Sequence, residues 1–195
     1  MASETLIPVR MKEADMGRAD VQAFRCGSEP HEKPLAEWIK WRSAEMIKCR
    51  CRFWLYHLPA ADGCPGPLVG YGSLSKGYID TTKEDGSKGR LKVMEIPMLA
   101  VDETFWGCPK RIADPEGKFS RQIVRHLQEE ARTGQKNGQN IERLLTLYVH
   151  PDSEPAQRLY LACGFEFAPG RFLAEPDIDP PGLLGMDYVW TASGD

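Results

Sequence analysis

The chain has 195 residues, of which 42% are hydrophobic and 27% charged, and its formal net charge at pH 7 is −3. A chain of this size buries a sizeable core, so we predict a single domain over residues 1–195. The weak negative charge argues against a nucleic-acid-binding surface, and no apolar run approaches the ~20 residues that span a bilayer, so neither a nucleic-acid nor a membrane partner is expected.

The six cysteines are informative about compartment and metal binding. No signal-peptide pattern precedes them, so we expect free thiols and a cytoplasmic protein. Cys49 and Cys51 form a C-x-C with His57 nearby, but the sequence offers no further ligands at a spacing that suits a metal. We therefore expect no metal and interpret these cysteines as small buried residues on and before a strand.

The first half of the chain predicts a strand, two helices and three more strands. In order these lie at Leu6–Met11, Asp15–Phe24, Lys33–Lys48, Arg52–Leu58, Pro67–Leu74 and Leu91–Val101. Pro97 lies inside the last strand and has no N–H for the ladder, so we expect a bulge or a lost neighbour there. Segments rich in Gly, Pro, Asp or Lys predict flexible loops. They are Pro59–Pro67, Gly77–Arg90 and Cys108–Gly117.

The second half predicts a helix, a strand, a helix and two closing strands. Phe119–Arg132 has one apolar and one polar face, and Ser153–Ala162 repeats this spacing before Gly164 ends it. Leu144–Val149 is a short buried strand between them, and Phe165–Ala168 and Gly185–Thr191 follow. This order indicates an α/β fold in which a mixed sheet carries helices on both faces.

The start of the helix at Phe119 has the features of an anion site. The first N–H groups of a helix are unpaired and its dipole is positive there. Gly117 permits close backbone approach, Lys118 and Arg121 add positive charge, and Ser120 adds a hydroxyl. A pyrophosphate suits this site, although a plain strand–loop–helix crossover with a capped helix explains the same residues.

The segment Leu144–Phe165 carries a spaced motif that resembles the late strand–helix unit of the GNAT acyltransferase superfamily. The motif positions are Val149, Ser153, Ala156, Tyr160, Gly164 and Phe165. The stretch MEIPMLAV at the end of Leu91–Val101 is similar to the fourth strand of that family. Two positions depart from the family pattern: Ser153 replaces an asparagine, and Gly117 alone remains of a glycine-rich pyrophosphate loop.

The resemblance implies a fold and a cosubstrate. The fold would be a twisted, mostly antiparallel sheet that is splayed between its fourth and fifth strands, with acetyl-CoA in the opening near Leu99 and Tyr148. The backbone of Leu99 and Val101 would pair with the pantetheine arm, and the loop Gly117–Gln122, including Ser120, Arg121 and Gln122, would hold the pyrophosphate. Ser153 would make part of the hydrogen bonding of the missing asparagine, or would only cap its helix.

The same resemblance suggests acid–base residues for acyl transfer. An amine must lose a proton before it attacks a thioester, and Glu95, on the fourth strand among apolar neighbours, is the predicted base. His150 or an ordered water is the alternative. Tyr160 is predicted to lie near the thioester sulfur and to protonate the leaving thiolate, with core packing as its alternative role.

The predicted function is transfer of an acetyl group from acetyl-CoA to a primary amine of a small molecule or peptide. The alternative is a catalytically silent acyl-CoA-binding GNAT module that acts as a sensor or scaffold. A third class, an unrelated nucleotide-binding domain, finds no second glycine-rich loop in the sequence. The apolar residues near the C-terminus would complete the sheet or pair with a second copy in a homodimer.

Overall fold

A computed structural model describes residues 5–27, 29, 32–41, 43–82, 85–106, 119–135, 143–173 and 182–190. The described α-helices are α1 (Ala19–Ala23), α2 (Lys33–Trp41), α3 (Ser43–Lys48), α4 (Phe119–Gln135) and α5 (Glu154–Ala162). The described strands are β1 (Ile7–Arg10), β2 (Arg52–Pro59), β3 (Pro65–Thr82), β4 (Lys88–Ile96), β5 (Leu99–Val101), β6 (Leu144–Val149), β7 (Glu166–Leu173) and β8 (Leu183–Val189). The predicted order holds with two changes: the predicted helix Lys33–Lys48 is divided into α2 and α3, and the predicted strand Leu91–Val101 is divided between β4 and β5.

The chain divides into two compact units, and the long elements β3 and α4 pass from one to the other. The first unit holds Met1–Ser73 and Met98–His126, and the second holds Leu74–Pro97 and Leu127–Asp195. The single domain over residues 1–195 stays a prediction. No helix among the described residues is both long enough and apolar enough to cross a lipid bilayer.

The first unit is built on β1, β2, the first half of β3, and β5. β1 pairs antiparallel with β2, and β5 pairs antiparallel with β3 at Gly70–Gly72. Side chains alternate along β2: Phe53 and Leu55 enter the core cluster with residues of α1 and α2, whereas the rings of Trp54 and Tyr56 both contact His126 of α4. Helices therefore lie on both faces of this part of the sheet, as predicted.

The second unit continues the sheet through β4, β6, β8 and β7. β3 with β4, β6 with β8, and β7 with β8 are antiparallel, and only the pairing of β4 with β6 is parallel. The predicted mixed and mostly antiparallel sheet is thus confirmed. Tyr160 and Phe165 pack against one face, because Phe165 contacts Tyr188 of β8.

The predicted loop Gly77–Arg90 is wrong, because most of it is a long β-hairpin. β3 runs to Thr82, β4 begins at Lys88, and their ladder extends from the Ser75–Glu95 pair to the Thr82–Lys88 pair. The exposure of this ribbon alternates from residue to residue. Its Lys, Arg and Asp residues occupy the exposed positions, so composition hid a period-two pattern that ends in an Asp85-Gly86 turn.

The sheet parts at Pro97. The parallel ladder of β4 with β6 ends at the Ile96–Leu147 pair, and beyond it Tyr148 and Val149 are paired with β8 alone among the described strands. After Pro97 the chain forms β5, which pairs with β3. The predicted interruption at Pro97 is confirmed, since proline removes a ladder donor.

Two predicted helix boundaries have different outcomes. Gly164 follows α5 with a positive φ of 85°, so it has the left-handed conformation of a helix-ending glycine, as predicted. Asp15 does not cap a helix that reaches Phe24. It lies in the 3-10 turn Glu13–Gly17, where its carboxylate accepts the Lys12 backbone N–H at 2.7 Å, and α1 begins only at Ala19.

Candidate active site

The outer edge of β5 presents backbone groups of Leu99. The Ser73 N–H donates to Met98 O at 2.9 Å and the Asp102 N–H donates to Val69 O at 2.8 Å. In an antiparallel ladder this spacing makes Ala100 the residue that bonds to β3, so the N–H and C=O of Leu99 and Val101 point to the opposite edge. None of the described strands pairs with that edge. Leu99 therefore offers a donor and an acceptor to a ligand.

The backbone groups of Val101 are already engaged within the chain. The Trp106 indole N–H donates to Val101 O at 2.8 Å, and the Val101 N–H bonds to the Cys26 sulfur. Burial raises the pKa of the Cys26 thiol to about 12, and nearby carboxylates contribute, so this cysteine stays a neutral thiol. The predicted pairing of pantetheine with Val101 thus requires that Trp106 give way.

A loop of the first unit fixes the residues that follow β5. The Arg25 N–H donates to the Asp102 carboxylate and the Glu103 N–H donates to Arg25 O, both at 2.9 Å. Gly27 has a φ of 65°, and a Cβ there would lie 2.6 Å from the Trp106 ring. Only glycine fits this position, so the location of the Trp106 indole against β5 depends on Gly27.

The first turn of α4 is anchored on both sides. Phe119 packs edge-on against Phe105 with ring centroids 5.8 Å apart, and the Gln122 side-chain oxygen accepts the Leu6 N–H at 2.9 Å. The Gln122 side chain is therefore engaged with Leu6, directly before β1. Ser120 and Arg121 lie half-buried in the same turn. The predicted donors Gly117 and Lys118 lie outside the described residues.

Glu95, the predicted base, lies half-buried on β4 in the second unit. It is opposite Ser75 of β3 and Thr146 of β6. Burial raises the pKa of its carboxyl, and the positive charge of Arg171 partly lowers it. A Cβ on Gly77 would lie 2.8 Å from the Glu95 carboxylate, so this glycine leaves room for it.

Three further residues lie on the Glu95 face of the sheet: Arg171 and Asp187 were not predicted, and Tyr148 was predicted only as a neighbour of the acetyl-CoA opening. Arg171 of β7 forms an ion pair with Asp187 of β8, and its guanidinium carbon lies 5.8 Å from the centre of the Tyr148 ring. Burial raises the pKa of the Tyr148 phenol. The available signal was a polar residue at every second position of apolar strands, as at Thr146 and Tyr148.

Tyr160 lies on the opposite face of the sheet from Glu95. Its side chain is 8% exposed and packs edge-on against Phe165, with centroids 5.7 Å apart. Phe165 contacts Tyr188, which alternates with Asp187 and so points away from the Glu95 face. The two predicted catalytic residues thus lie on opposite faces of the sheet, and their catalytic roles stay predictions.

The alternative base, His150, lies in a closely bonded turn after β6. Its Nδ1 accepts the Asp152 N–H at 3.2 Å, and Gln157 donates to the carbonyl oxygens of His150 and Pro151. Nδ1 is therefore not available to a substrate amine. Ser153 occupies the N-cap position of α5, but its side chain makes no capping hydrogen bond.

The cysteines and acidic residues show no metal cluster in the part of the chain that is described. Cys51 is buried in the core as predicted, whereas Cys49 is exposed after α3. Both are free thiols, as are Cys26, Cys64 and Cys163. Cys108 lies outside the described residues.

Comparison with solved structures finds bacterial toxins of similar fold. The chain is similar to a tyrosine-to-phenylalanine mutant of the AtaT toxin bound to the C-terminus of the antitoxin AtaR and acetyl-CoA, with 14% identity, a TM-score of 0.63, and coverage of 95% of this chain and 94% of that chain. It is similar to AtaT complexed with acetyl-methionyl-tRNAfMet, at 16% identity and a TM-score of 0.58, over 92% and 93% of the two chains. It also matches a KacTA–DNA complex at 20% identity and a TM-score of 0.56, over 93% and 92% of the chains. The sequence matches no family model and no curated protein.

The predicted partners are contradicted by these structures. A small-molecule or peptide acceptor without nucleic acid was expected, whereas the neighbours are bound to an antitoxin protein, to an acetylated aminoacyl-tRNA and to DNA. The expectation used the net charge of −3, which averages over the whole surface and does not report on one face of the molecule. The fold prediction, in contrast, is confirmed: the chain has the GNAT acyltransferase fold.

Proposed function

We propose that this protein transfers the acetyl group of acetyl-CoA to the α-amine of an aminoacyl-tRNA. The free backbone edge at Leu99, in the GNAT fold, carries the proposal. Leu99 offers an N–H and a C=O on β5, which follows Pro97. The parallel ladder of β4 with β6 ends directly before that proline. An extended pantetheine arm uses such an edge as an added strand does.

The acceptor class follows from the neighbours and from the demands of the reaction. AtaT is bound to acetyl-methionyl-tRNAfMet, which carries an acetylated α-amine. Free α-amines have a pKa of about 7.7–8.0, well below that of a lysine, so a carboxylate can act as their base near neutral pH. Glu95 is suited to this role because burial raises the pKa of its carboxyl.

The transfer then has three steps. Glu95 takes the proton of the ammonium, and the free amine attacks the thioester carbon to form a tetrahedral oxyanion. The Leu99 N–H, on the unpaired edge of β5, donates to that oxyanion. The C–S bond breaks as the oxyanion collapses, Tyr160 supplies a proton to the departing CoA thiolate, and the second proton of the attacking nitrogen passes through water to the Tyr160 phenolate. Glu95 then releases its proton to solvent. The five free thiols among the described residues suit a reducing compartment, so we place the reaction in the cytoplasm.

A thiol-release assay with acetyl-CoA tests the proposal. Charged tRNA should release CoA and yield an acetylated aminoacyl-tRNA detected by mass spectrometry, whereas uncharged tRNA should not. Tight acetyl-CoA binding with no release on any charged tRNA would favour the silent binding module instead.

A pair of variants at Leu99 tests the carrying observation. Leu99→Pro removes the N–H that points to the free edge, while the Ala100–Tyr71 pair keeps the ladder to β3. Loss of one oxyanion donor should lower kcat by about 100-fold or more. Leu99→Ala keeps the N–H and is the matched control, so equal effects of both variants would show that the side chain matters and the donor does not.

A further inference from the structure

Arg171 is a guanidinium on the Glu95 face that the proposed transfer does not yet use. Its side chain is 14% exposed and forms an ion pair with Asp187. It also lies over the Tyr148 ring, at 5.8 Å from the ring centre. These two contacts, from β8 and β6, hold the charge in one place on the sheet.

A glycine makes this placement possible. Gly185 of β8 is opposite Tyr148 of β6, and a Cβ there would lie 2.7 Å from Arg171 Nε and 3.1 Å from the Arg171 carbonyl oxygen. Because Gly185 has no side chain, the Arg171 side chain has room next to β8. Nε is buried and has no hydrogen-bond partner among the described residues. A position that leaves a buried N–H unbonded is costly, which suggests that it serves a purpose other than stability.

We propose that Arg171 is a positioning residue whose charge, held by Asp187 and Tyr148 across Gly185, keeps the Glu95 carboxylate ionised so that it can act as the base. This inference rests on the proposed function. The inference adds to the proposed function that a residue of β7 sets the protonation state of Glu95 on β4.

The charges around Glu95 in the second unit support this assignment. Glu95 lies opposite Thr146, Thr146 lies opposite Asp187, and Asp187 forms an ion pair with Arg171, so the guanidinium is held at the row of paired residues that contains Glu95. The positive charge of Arg171 lowers the pKa of the Glu95 carboxyl against the effect of burial. Among the described residues of β6, β7 and β8, the other ionisable groups on this face are Asp187, which is paired with Arg171, Glu166, which is opposite Asp187, and the phenol of Tyr148. Lys76 and Lys92, on β3 and β4, alternate to the other face.

The test compares charge removal with charge retention at Arg171. Arg171→Met should move the acidic limb of the kcat/KM profile to higher pH, because Glu95 then holds its proton longer. The rate at high pH should return to the wild-type plateau. Arg171→Lys keeps the charge, and its acidic limb should stay near that of the wild type. Two variants that lose activity equally at every pH, or that leave the limb unmoved, would overturn the proposal and leave Arg171 a structural ion pair.

A second variant and a second measurement keep the test decisive. Gly185→Ala leaves the arginine in the chain but displaces its guanidinium, so it should shift the limb in the same direction as Arg171→Met. NMR titration of the Glu95 carboxyl carbon reads the same change without turnover. A wild type that transfers no acetyl group refutes the proposed function, whereas an unshifted Glu95 titration in both variants refutes the role of Arg171.

Discussion

Gly70→Ala should separate β5 from β3. Gly70 lies on β3 opposite Val101, and a Cβ there would lie 2.5 Å from Ala100 O and 2.9 Å from the Ile123 Cδ1. A carbon–oxygen contact needs about 3.3 Å, so β5 would have to move outward by about 0.8 Å. The neighbouring atom is backbone and not a flexible side chain, so the clash cannot be relieved by a rotamer change.

The cost of this substitution follows from overpacking. A methyl group forced into a packed site destabilises a protein by about 1–3 kcal/mol. The movement also weakens the Ala100–Tyr71 pair and displaces Leu99, whose backbone we propose as a contact of acetyl-CoA. We therefore expect a lower free energy of unfolding together with weaker binding of acetyl-CoA.

Urea unfolding and calorimetric titration with acetyl-CoA measure the two effects. Gly17→Ala is the matched control, because nothing lies within 4 Å of a Cβ at that exposed turn, and its stability should stay within about 0.5 kcal/mol of the wild type. A Gly70→Ala protein with an unchanged unfolding midpoint would refute the close packing of β5 on β3. A destabilised variant that binds acetyl-CoA normally would remove Leu99 from the cofactor site.

Three further substitutions test individual groups. Tyr160→Phe should lower turnover by about 100-fold while acetyl-CoA affinity changes little, as expected for loss of a general acid, and equal losses in both would indicate packing against Phe165. Glu95→Gln should reduce the rate chiefly at lower pH, where the amine is protonated and a base is most needed, and an unaltered pH–rate profile would exclude Glu95 as the base. Trp106→Phe removes the donor to Val101 O, and if pantetheine takes that carbonyl, acetyl-CoA affinity should rise by about fivefold, whereas an unchanged dissociation constant would restrict pairing to Leu99.

Residue type and spacing are enough to predict several helices and strands and the positions where they end. Helix α4 follows from its amphipathic period, and the end of α5 follows from Gly164, which adopts a left-handed conformation. The interruption at Pro97 follows from a missing N–H. These features depend on residues close together in the chain, so spacing and residue type suffice to predict them. The resemblance of the spaced motif from Val149 to Phe165 to the GNAT superfamily predicted the fold.

Which side chains lie on one face of the sheet depends on how the strands pair in the folded protein. Glu95 and Arg171 lie 76 positions apart and are brought to one face by the registers of β4, β6, β8 and β7. The engagement of Val101 by Trp106 depends on Gly27, far away in the chain. Register and alternation across paired strands set these contacts, and a shift of one residue would turn every side chain of a strand to the other face. No local pattern carries that information, which is why Glu95 was predicted as a site residue whereas Arg171, on the same face, was not.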